Sequence, residues 1–233
     1  ARVRATDGMT RARLGDGVMQ CCRPGEWGRT PPPAGIVASG IGAIAGSRSL
    51  TRATLTSVCS CAAQGMMTAC LPLLGERAMG GAGFGAALLS CAALSALLAN
   101  AALARRPHMV APDTVLWTAP LLQAAALALA ATGGPVALVV AVAVAGLAEG
   151  PQLTALFAVR HREAPKGLRA QVFTTGASLK ITGFAVGAAV AGPLADRSLN
   201  GALLVAAATA ALAVPARFAV RTSRGPVRTS SHA

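Results

Sequence analysis

Residues 135–169 read PVALVVAVAVAGLAEGPQLTALFAVRHREAPKGLR, an apolar run that ends in a basic loop. The apolar part, 135–159, has 25 residues, and a helix of about 20 such residues crosses the hydrocarbon core of a bilayer. The loop after it, 160–169, carries four Lys or Arg residues. Because Lys and Arg are enriched in cytoplasmic loops, this stretch predicts a membrane-spanning helix whose C-terminal end faces the cytoplasm.

The same pattern of apolar runs and basic connections extends over most of the chain. Six apolar stretches are present, and we place them at 53–74, 80–104, 114–132, 135–159, 170–195 and 199–216. Of the 21 Lys and Arg residues, 18 lie on one side of the alternation, whereas Arg77 and Arg197 lie on the other and Lys180 lies inside a stretch. The pattern predicts an all-α protein with six transmembrane helices in the plasma (inner) membrane, with both termini cytoplasmic.

The composition favours a lipid environment over other partners. Hydrophobic residues make up 54% of the chain and charged residues 12%, too apolar for the surface of an ordinary soluble domain. The net charge of +13 is spread over the tails and short loops, and Phe, Trp and Tyr number five, two and none. We therefore interpret the basic residues as a topology signal and a contact with anionic lipid, and we expect no nucleic-acid partner.

No pattern in the sequence predicts enzymatic or metal chemistry. The chain contains no phosphate-binding loop, no nucleophile elbow and no paired carboxylates, and none of its six cysteines has zinc-site spacing with a nearby histidine. We therefore expect no catalytic residue, no metal and no cofactor.

The chain divides into four predicted segments. Residues 1–33 are Arg-, Gly- and Pro-rich and are predicted to be a disordered basic tail or linker. Residues 34–50 form a short apolar segment, which could be a helix remnant or an interfacial piece because it is too short to span. The six-helix domain follows at 53–217, and 218–233 form a basic cytoplasmic tail.

Glu149 and Lys180 are the formal charges that lie well inside predicted spans. A charge at the bilayer centre costs about 2.5–3.5 kcal/mol on insertion scales, so such residues usually face a cavity or a partner. One interpretation is that the two residues line a transport pathway, as an ion pair or a protonation site. The other is that Glu149 lies near an interface and that Lys180 belongs to a tight, glycine-rich helix contact.

The fourth span should break or kink beside Glu149. Gly150 weakens the turn and Pro151 removes a backbone hydrogen bond. Broken helices near the midplane expose backbone groups to substrates, so Glu149 and Gln152, one turn apart, form the leading candidate site.

Two spans carry polar side chains on one face. The first span has them at spacings of 4, 3 and 4: Ser57, Cys61, Gln64 and Thr68. The fifth span repeats the spacing: Gln171, Thr175, Ser178 and Thr182. Gln64, Thr175 and Ser178 are therefore further candidates for the substrate pathway, with helix packing as the competing interpretation.

Residues 150–198 resemble the tenth and eleventh helices of major facilitator superfamily transporters, most closely bacterial drug or sugar efflux permeases. The likeness lies in a Pro-containing helix, a basic loop with Ala164, Pro165 and Arg169, and a Gly-rich helix ending in AGPLAD at 191–196. Upstream, Pro72 and the Gly-rich run 80–106 look like helices seven and eight. The resemblance covers about residues 50–217.

This resemblance implies the C-terminal half of a twelve-helix transporter. It implies that spans one, two, four and five line a cavity and that spans three and six are peripheral. The leading hypothesis is secondary transport of a small molecule by a truncated half, with proton coupling through Glu149 as a further hypothesis. Two alternatives stay open: a half-unit that works only with a second copy or a separate N-terminal half, and a non-transporting membrane scaffold.

Overall fold

The computed structural model describes residues 33–105 and 111–219. The chain divides into two compact units, Ala1–Ile36 and Val37–Ala233, and the contacts given below lie within the second. The described residues form seven α-helices: α1 (Pro33–Gly46), α2 (Arg48–Met79), α3 (Phe84–Arg105), α4 (Pro112–Ala130), α5 (Pro135–Glu163), α6 (Arg169–Arg197) and α7 (Leu199–Ala219). A 3-10 turn, Lys166–Leu168, precedes α6. The predicted tails 1–33 and 218–233 lie almost entirely outside the described residues.

Five of these helices are long and apolar enough to cross a membrane: α2, α3, α4, α5, and α6 taken with the turn before it. The all-α class is therefore confirmed, and the helices are those of a multi-pass membrane protein. The predicted sixth span corresponds to α7, whose apolar section Leu199–Pro215 is shorter than the other five. The apolar section of α1, Val37–Gly46, is also short.

Local sequence signals account for where the helices begin and end. Ser47 caps α2, because its hydroxyl accepts a hydrogen bond from the Leu50 backbone N–H. α2 ends at Met79 and is capped by Gly80, whose φ of 83° lies in the left-handed region that glycine adopts readily. Pro112 and Pro135 occupy the first positions of α4 and α5, where a missing N–H costs nothing. Residues 48–50, predicted to belong to the short segment, are thus the start of α2.

Helix α2 is the centre of the bundle and contacts each of α3 to α7. The largest buried cluster includes Met66 and Cys70 of α2, Leu127 of α4, Leu138 of α5 and Leu203 of α7. A smaller cluster joins Ile44 of α1 to residues at the starts of α2 and α6. Because consecutive spans alternate in direction, the ends of α3 and α5 and the starts of α2, α4 and α6 share one end of the bundle, which we call the basic end.

Glycines let several helices touch backbone to backbone. A Cβ atom at Gly187 of α6 would collide with the Ala62 carbonyl oxygen of α2, and one at Gly146 of α5 would collide with the Ala92 carbonyl oxygen of α3. A Cβ atom at Gly65 of α2 would likewise collide with the Phe184 carbonyl oxygen of α6. Close packing through small residues is a principal source of helix association in lipid, so the face of α6 that carries Gly183 and Gly187 is a packing surface.

The helix is not interrupted at Gly150 and Pro151, since α5 runs as one helix from Pro135 to Glu163, and the alternative of a kink there stays a prediction. Proline removes a single backbone hydrogen bond within the helix, and neighbouring contacts stabilise the turn. Gly150 packs against the Ala96 carbonyl of α3, and the Thr154 hydroxyl donates to the Gly150 carbonyl at 3.4 Å. The residues beside Pro151 are therefore presented by a continuous helix.

The helices differ in how much of their surface the chain itself covers. Of the five long helices, α3 and α6 are the most exposed. Only 11% and 17% of the residues in their 18-residue apolar segments are buried, against 44% for α4. α7 buries one face of small residues completely, including Ala206 and Ala210. The Ala-rich face of α7 packs closely against α2 and α4, and the expectation that the third and sixth spans are peripheral in the membrane stays a prediction.

Candidate functional site

A polar cleft lies on the surface of α2, between α5 and α6. Four helices line it. The residues are Ser57, Ser60, Cys61 and Gln64 of α2, Gln123 of α4, Glu149, Gln152, Leu153 and Leu156 of α5, and Lys180 of α6. α5 and α6 both pack on α2 but barely contact each other, so the cleft separates them and α2 forms its floor. Its internal volume of about 10 Å³ is enough for about one water molecule.

Both charged residues of the cleft lie at the middle of their helices. Glu149 is 14 residues from each end of α5, which is about 21 Å at 1.5 Å per residue. Lys180 is 11 residues from the start of α6, or about 17 Å. Both side chains are half-buried, so the cleft carries one negative and one positive charge near the middle of the helices that form its walls.

Glu149 and Lys180 do not neutralise each other directly. Within the described ranges, ion pairs closer than 4 Å join Arg162 to Asp113 and to Glu163, at the basic end, and none joins Glu149 to Lys180. A carboxylate and an ammonium that line one cleft without touching can both contact a third group placed between them. Polar and charged groups at this depth are costly unless such a partner or water is present.

The floor of the cleft is organised by a buried hydrogen-bond network that links three helices. The Ser60 hydroxyl of α2 donates to Gln123 Oε1 of α4 at 2.8 Å, and Gln123 Nε2 donates to the Ser60 carbonyl at 3.1 Å. Gln152 Nε2 of α5 donates to Ser60 Oγ at 3.0 Å. The network positions Gln152, and therefore the turn of α5 that carries Glu149.

Replacing the central hydroxyl should destabilise the bundle. In Ser60→Ala, Gln152 Nε2 and Gln123 Oε1 lose their partner while remaining buried, and an unsatisfied buried polar group costs about 1–3 kcal/mol. The free energy of unfolding, measured by denaturant titration of the detergent-solubilised protein, should fall by about that amount. Ser90→Ala is the matched control, because that exposed hydroxyl bonds only within its own helix. Equal stability of the two variants would contradict the assigned network.

The structure brings four of the six predicted pathway residues together and separates the other two. Glu149, Gln152, Lys180 and Gln64 all line the cleft. Thr175 is buried against Gly40 of α1 instead. Ser178 is exposed, and its hydroxyl donates to the Thr174 carbonyl of its own helix. The polar stripe of α6 therefore splits between a helix contact and an exposed face.

Ser60 and Gln123 are the site residues that the sequence did not predict. Gln123 is the only amide side chain in the predicted span 114–132, and this isolation could have marked it. Ser60 lies three positions after Ser57 and four before Gln64, on the same face of the helix as those two residues, so its spacing could have marked it as well. No group of three or more His, Cys, Asp or Glu residues in 33–105 and 111–219 could hold a metal ion, so the cleft is described by hydrogen bonding and charge.

Searches with protein-family models, curated proteins and solved structures found no match. The resemblance to major facilitator transporters therefore stays a prediction, and the cleft is interpreted from its own geometry.

Proposed function

We propose that the chain is a six-helix transporter half of the major facilitator type and that the cleft is its substrate pathway. The observation that carries this proposal is the meeting of Glu149, Gln152, Lys180 and Gln64, from three helices, at mid-depth of the bundle. Transporters bind substrates near the bilayer midplane, between structural repeats. A polar cleft at this depth is the feature that such a role requires.

The exposure of α3 and α6 supports the view that the chain is one half of a larger assembly. These two helices are the least buried of the long helices, and α6 is one wall of the cleft. A second half placed over them would close the cleft from that side. In this proposal α7 is the sixth span, the basic end faces the cytoplasm, and the transported substrate is a small molecule, such as a drug or a sugar that is exported.

Proton-coupled transport through Glu149 can be tested with a conservative substitution. The chain would be expressed in cells that lack their major efflux pumps, and inverted membrane vesicles would be prepared from those cells. The uptake of a panel of dyes and antibiotics into the vesicles would then be measured under an imposed pH gradient. Glu149→Gln should lower gradient-driven uptake about 10–100-fold, since a hydrogen bond to a charged group contributes about 1.5–3 kcal/mol. Glu76→Gln is the control, because Glu76 is exposed near the opposite end of α2.

The controls separate three outcomes. Uptake that is equal for the wild type and Glu149→Gln would reject the coupling role. Uptake that appears only when a separate N-terminal half is co-expressed, or only in a crosslinked pair of copies, would favour the half-unit that acts as an oligomer. Wild-type behaviour after Gln64, Gln152 and Lys180 are all changed to Leu would favour a non-transporting scaffold.

A further inference from the structure

Arg160 is a buried cation with no partner in the described part of the chain. Arg160 is only 1% exposed. Its Nε and Nη2 atoms are buried and make no hydrogen bond to the described residues. The guanidinium lies over Gly176 of α6, where a Cβ atom would be 2.5 Å from Nη2 and 2.6 Å from Cζ. Gly176 thus provides the space in which the guanidinium is held.

Helical register places Arg160 directly beyond the cleft. Arg160 follows the cleft residue Leu156 by four positions on α5, and Gly176 precedes the cleft residue Lys180 by four positions on α6. Residues four apart lie on one helix face, about one turn from each other. Arg160 and Gly176 therefore form the next layer of the α5–α6 contact, at the basic end of the cleft.

A third helix adds unsatisfied hydroxyls to the same region. Ser57 of α2 lines the cleft, and Thr54 lies three positions nearer the basic end on the same face. The Oγ1 atom of Thr54 and the Oγ atom of Ser57 are both buried without a hydrogen-bond partner in 33–105 and 111–219. Two hydroxyls and two guanidinium nitrogens, on adjacent helices, are thus left with unused hydrogen-bonding capacity. We call Thr54, Ser57 and Arg160 the donor layer.

The carboxylates described in the structure do not neutralise Arg160. Asp113 and Glu163 pair with Arg162, and Glu149 lies 11 positions before Arg160 on α5, or about 17 Å along the helix axis. A buried charge without a counter-charge is strongly disfavoured. The position therefore calls for an anion that comes from outside this set of side chains.

We propose that the donor layer is an oxyanion subsite at the basic end of the cleft and that the transported molecule carries a carboxylate or phosphate-type group. The planar guanidinium presents two N–H donors in the fork that matches such oxyanions. Lys180, one turn beyond Gly176 on α6, adds a second positive charge, so the cleft and the donor layer together carry one negative and two positive formal charges. The substrate class rests on the proposed transport function, whereas binding of the anion does not.

Thermal unfolding of the full chain in uncharged detergent tests the subsite with sodium benzoate as the probe. Benzoate should raise the unfolding temperature saturably, because a ligand that binds only the folded state stabilises it. Benzamide, which has the same ring and no charge, should have no such effect at equal concentration, and sodium chloride controls for ionic strength. This comparison needs no variant, so it holds even where a substitution prevents folding.

Two variants then assign the effect to Arg160. Arg160→Gln should weaken the apparent affinity for benzoate at least about tenfold, as expected when a bidentate charged contact is lost. Arg162→Gln removes the same charge two residues away, at an exposed position, and should bind benzoate like the wild type. Equal stabilisation by benzoate and benzamide, or equal benzoate affinity in Arg160→Gln, would overturn the proposal.

The source of the anion is settled by repeating the titration in lipid nanodiscs. In phosphatidylcholine discs, benzoate should still stabilise the wild type. If phosphatidylglycerol discs gave an Arg160-dependent stabilisation and benzoate none in either lipid, the guanidinium would serve a lipid phosphate and the substrate assignment would be rejected. Benzoate binding without any transport in vesicles would leave the subsite intact and reject the transport function.

Discussion

Lys180→Cys is expected to react with a membrane-impermeant methanethiosulfonate reagent about 100-fold faster than Ile181→Cys, both in a background in which the six native cysteines are changed to Ser or Ala. Lys180 lines the polar cleft, whereas Ile181 is at the same depth and its side chain is 68% exposed on another face of α6. Placing a charge in hydrocarbon costs about 2.5–3.5 kcal/mol, which corresponds to about 100-fold in reaction rate. The rates are measured in intact membranes by quenching with a biotinylated maleimide.

Leu127→Cys provides the background rate, because that side chain is completely buried in the main core. Adding the reagent separately to right-side-out and inverted vesicles also reports which end of the cleft admits water. Equal rates for the substitutions at 180 and 181 would show that the cleft is dry, and the transport proposal would then lose its principal support.

Gly187→Ala is expected to lower the free energy of unfolding by about 1–3 kcal/mol, the usual cost of overpacking a tight contact. The added methyl group would meet the Ala62 carbonyl and Cα atoms of α2, and a helix backbone yields much less than a flexible side chain. Because α6 is held mainly by α2, the substitution should loosen one wall of the cleft as well. Denaturant titration in detergent measures the change.

Gly192→Ala is the matched control in the same helix, since nothing lies within 4 Å of its Cβ position. Its stability should equal that of the wild type or exceed it by up to about 1 kcal/mol, because alanine has the higher helix propensity. If Gly187→Ala were as stable as Gly192→Ala, the close α2–α6 contact would be wrong, and so would the position of Lys180 beside α2.

The most reliable predictions from sequence were those that depend on the cost of charge in lipid. Glu149 and Lys180 were selected because charges within apolar spans are rare, and the structure places both in one cleft. Gln152 and Gln64 were selected as neighbours of a predicted break and as members of a polar face, and they line the same cleft. An interruption of the helix at Pro151 was wrong, because local propensity does not include the contact that α3 makes with Gly150, whereas a kink there stays a prediction.

Predictions that depended on which neighbour a helix face meets were less successful. Thr175 and Ser178 share one face of α6 by periodicity, yet Thr175 packs on α1 while Ser178 is exposed. Periodicity defines a face of a helix but not the element that covers it. Ser60 and Gln123 were missed for the same reason, since their importance arises from hydrogen bonds between residues 63 positions apart.

The sequence by itself determined the all-α membrane class, the approximate helix boundaries and the two intramembrane charges, because hydrophobic length and the cost of burying charge are local properties of the chain. Only the tertiary structure decided that α5 and α6 separate over α2, that Ser60 joins three helices, and that Arg160 lies beside Gly176 without a partner among the described residues. These features depend on backbone approach between helices distant in sequence, which glycine positions permit but do not specify.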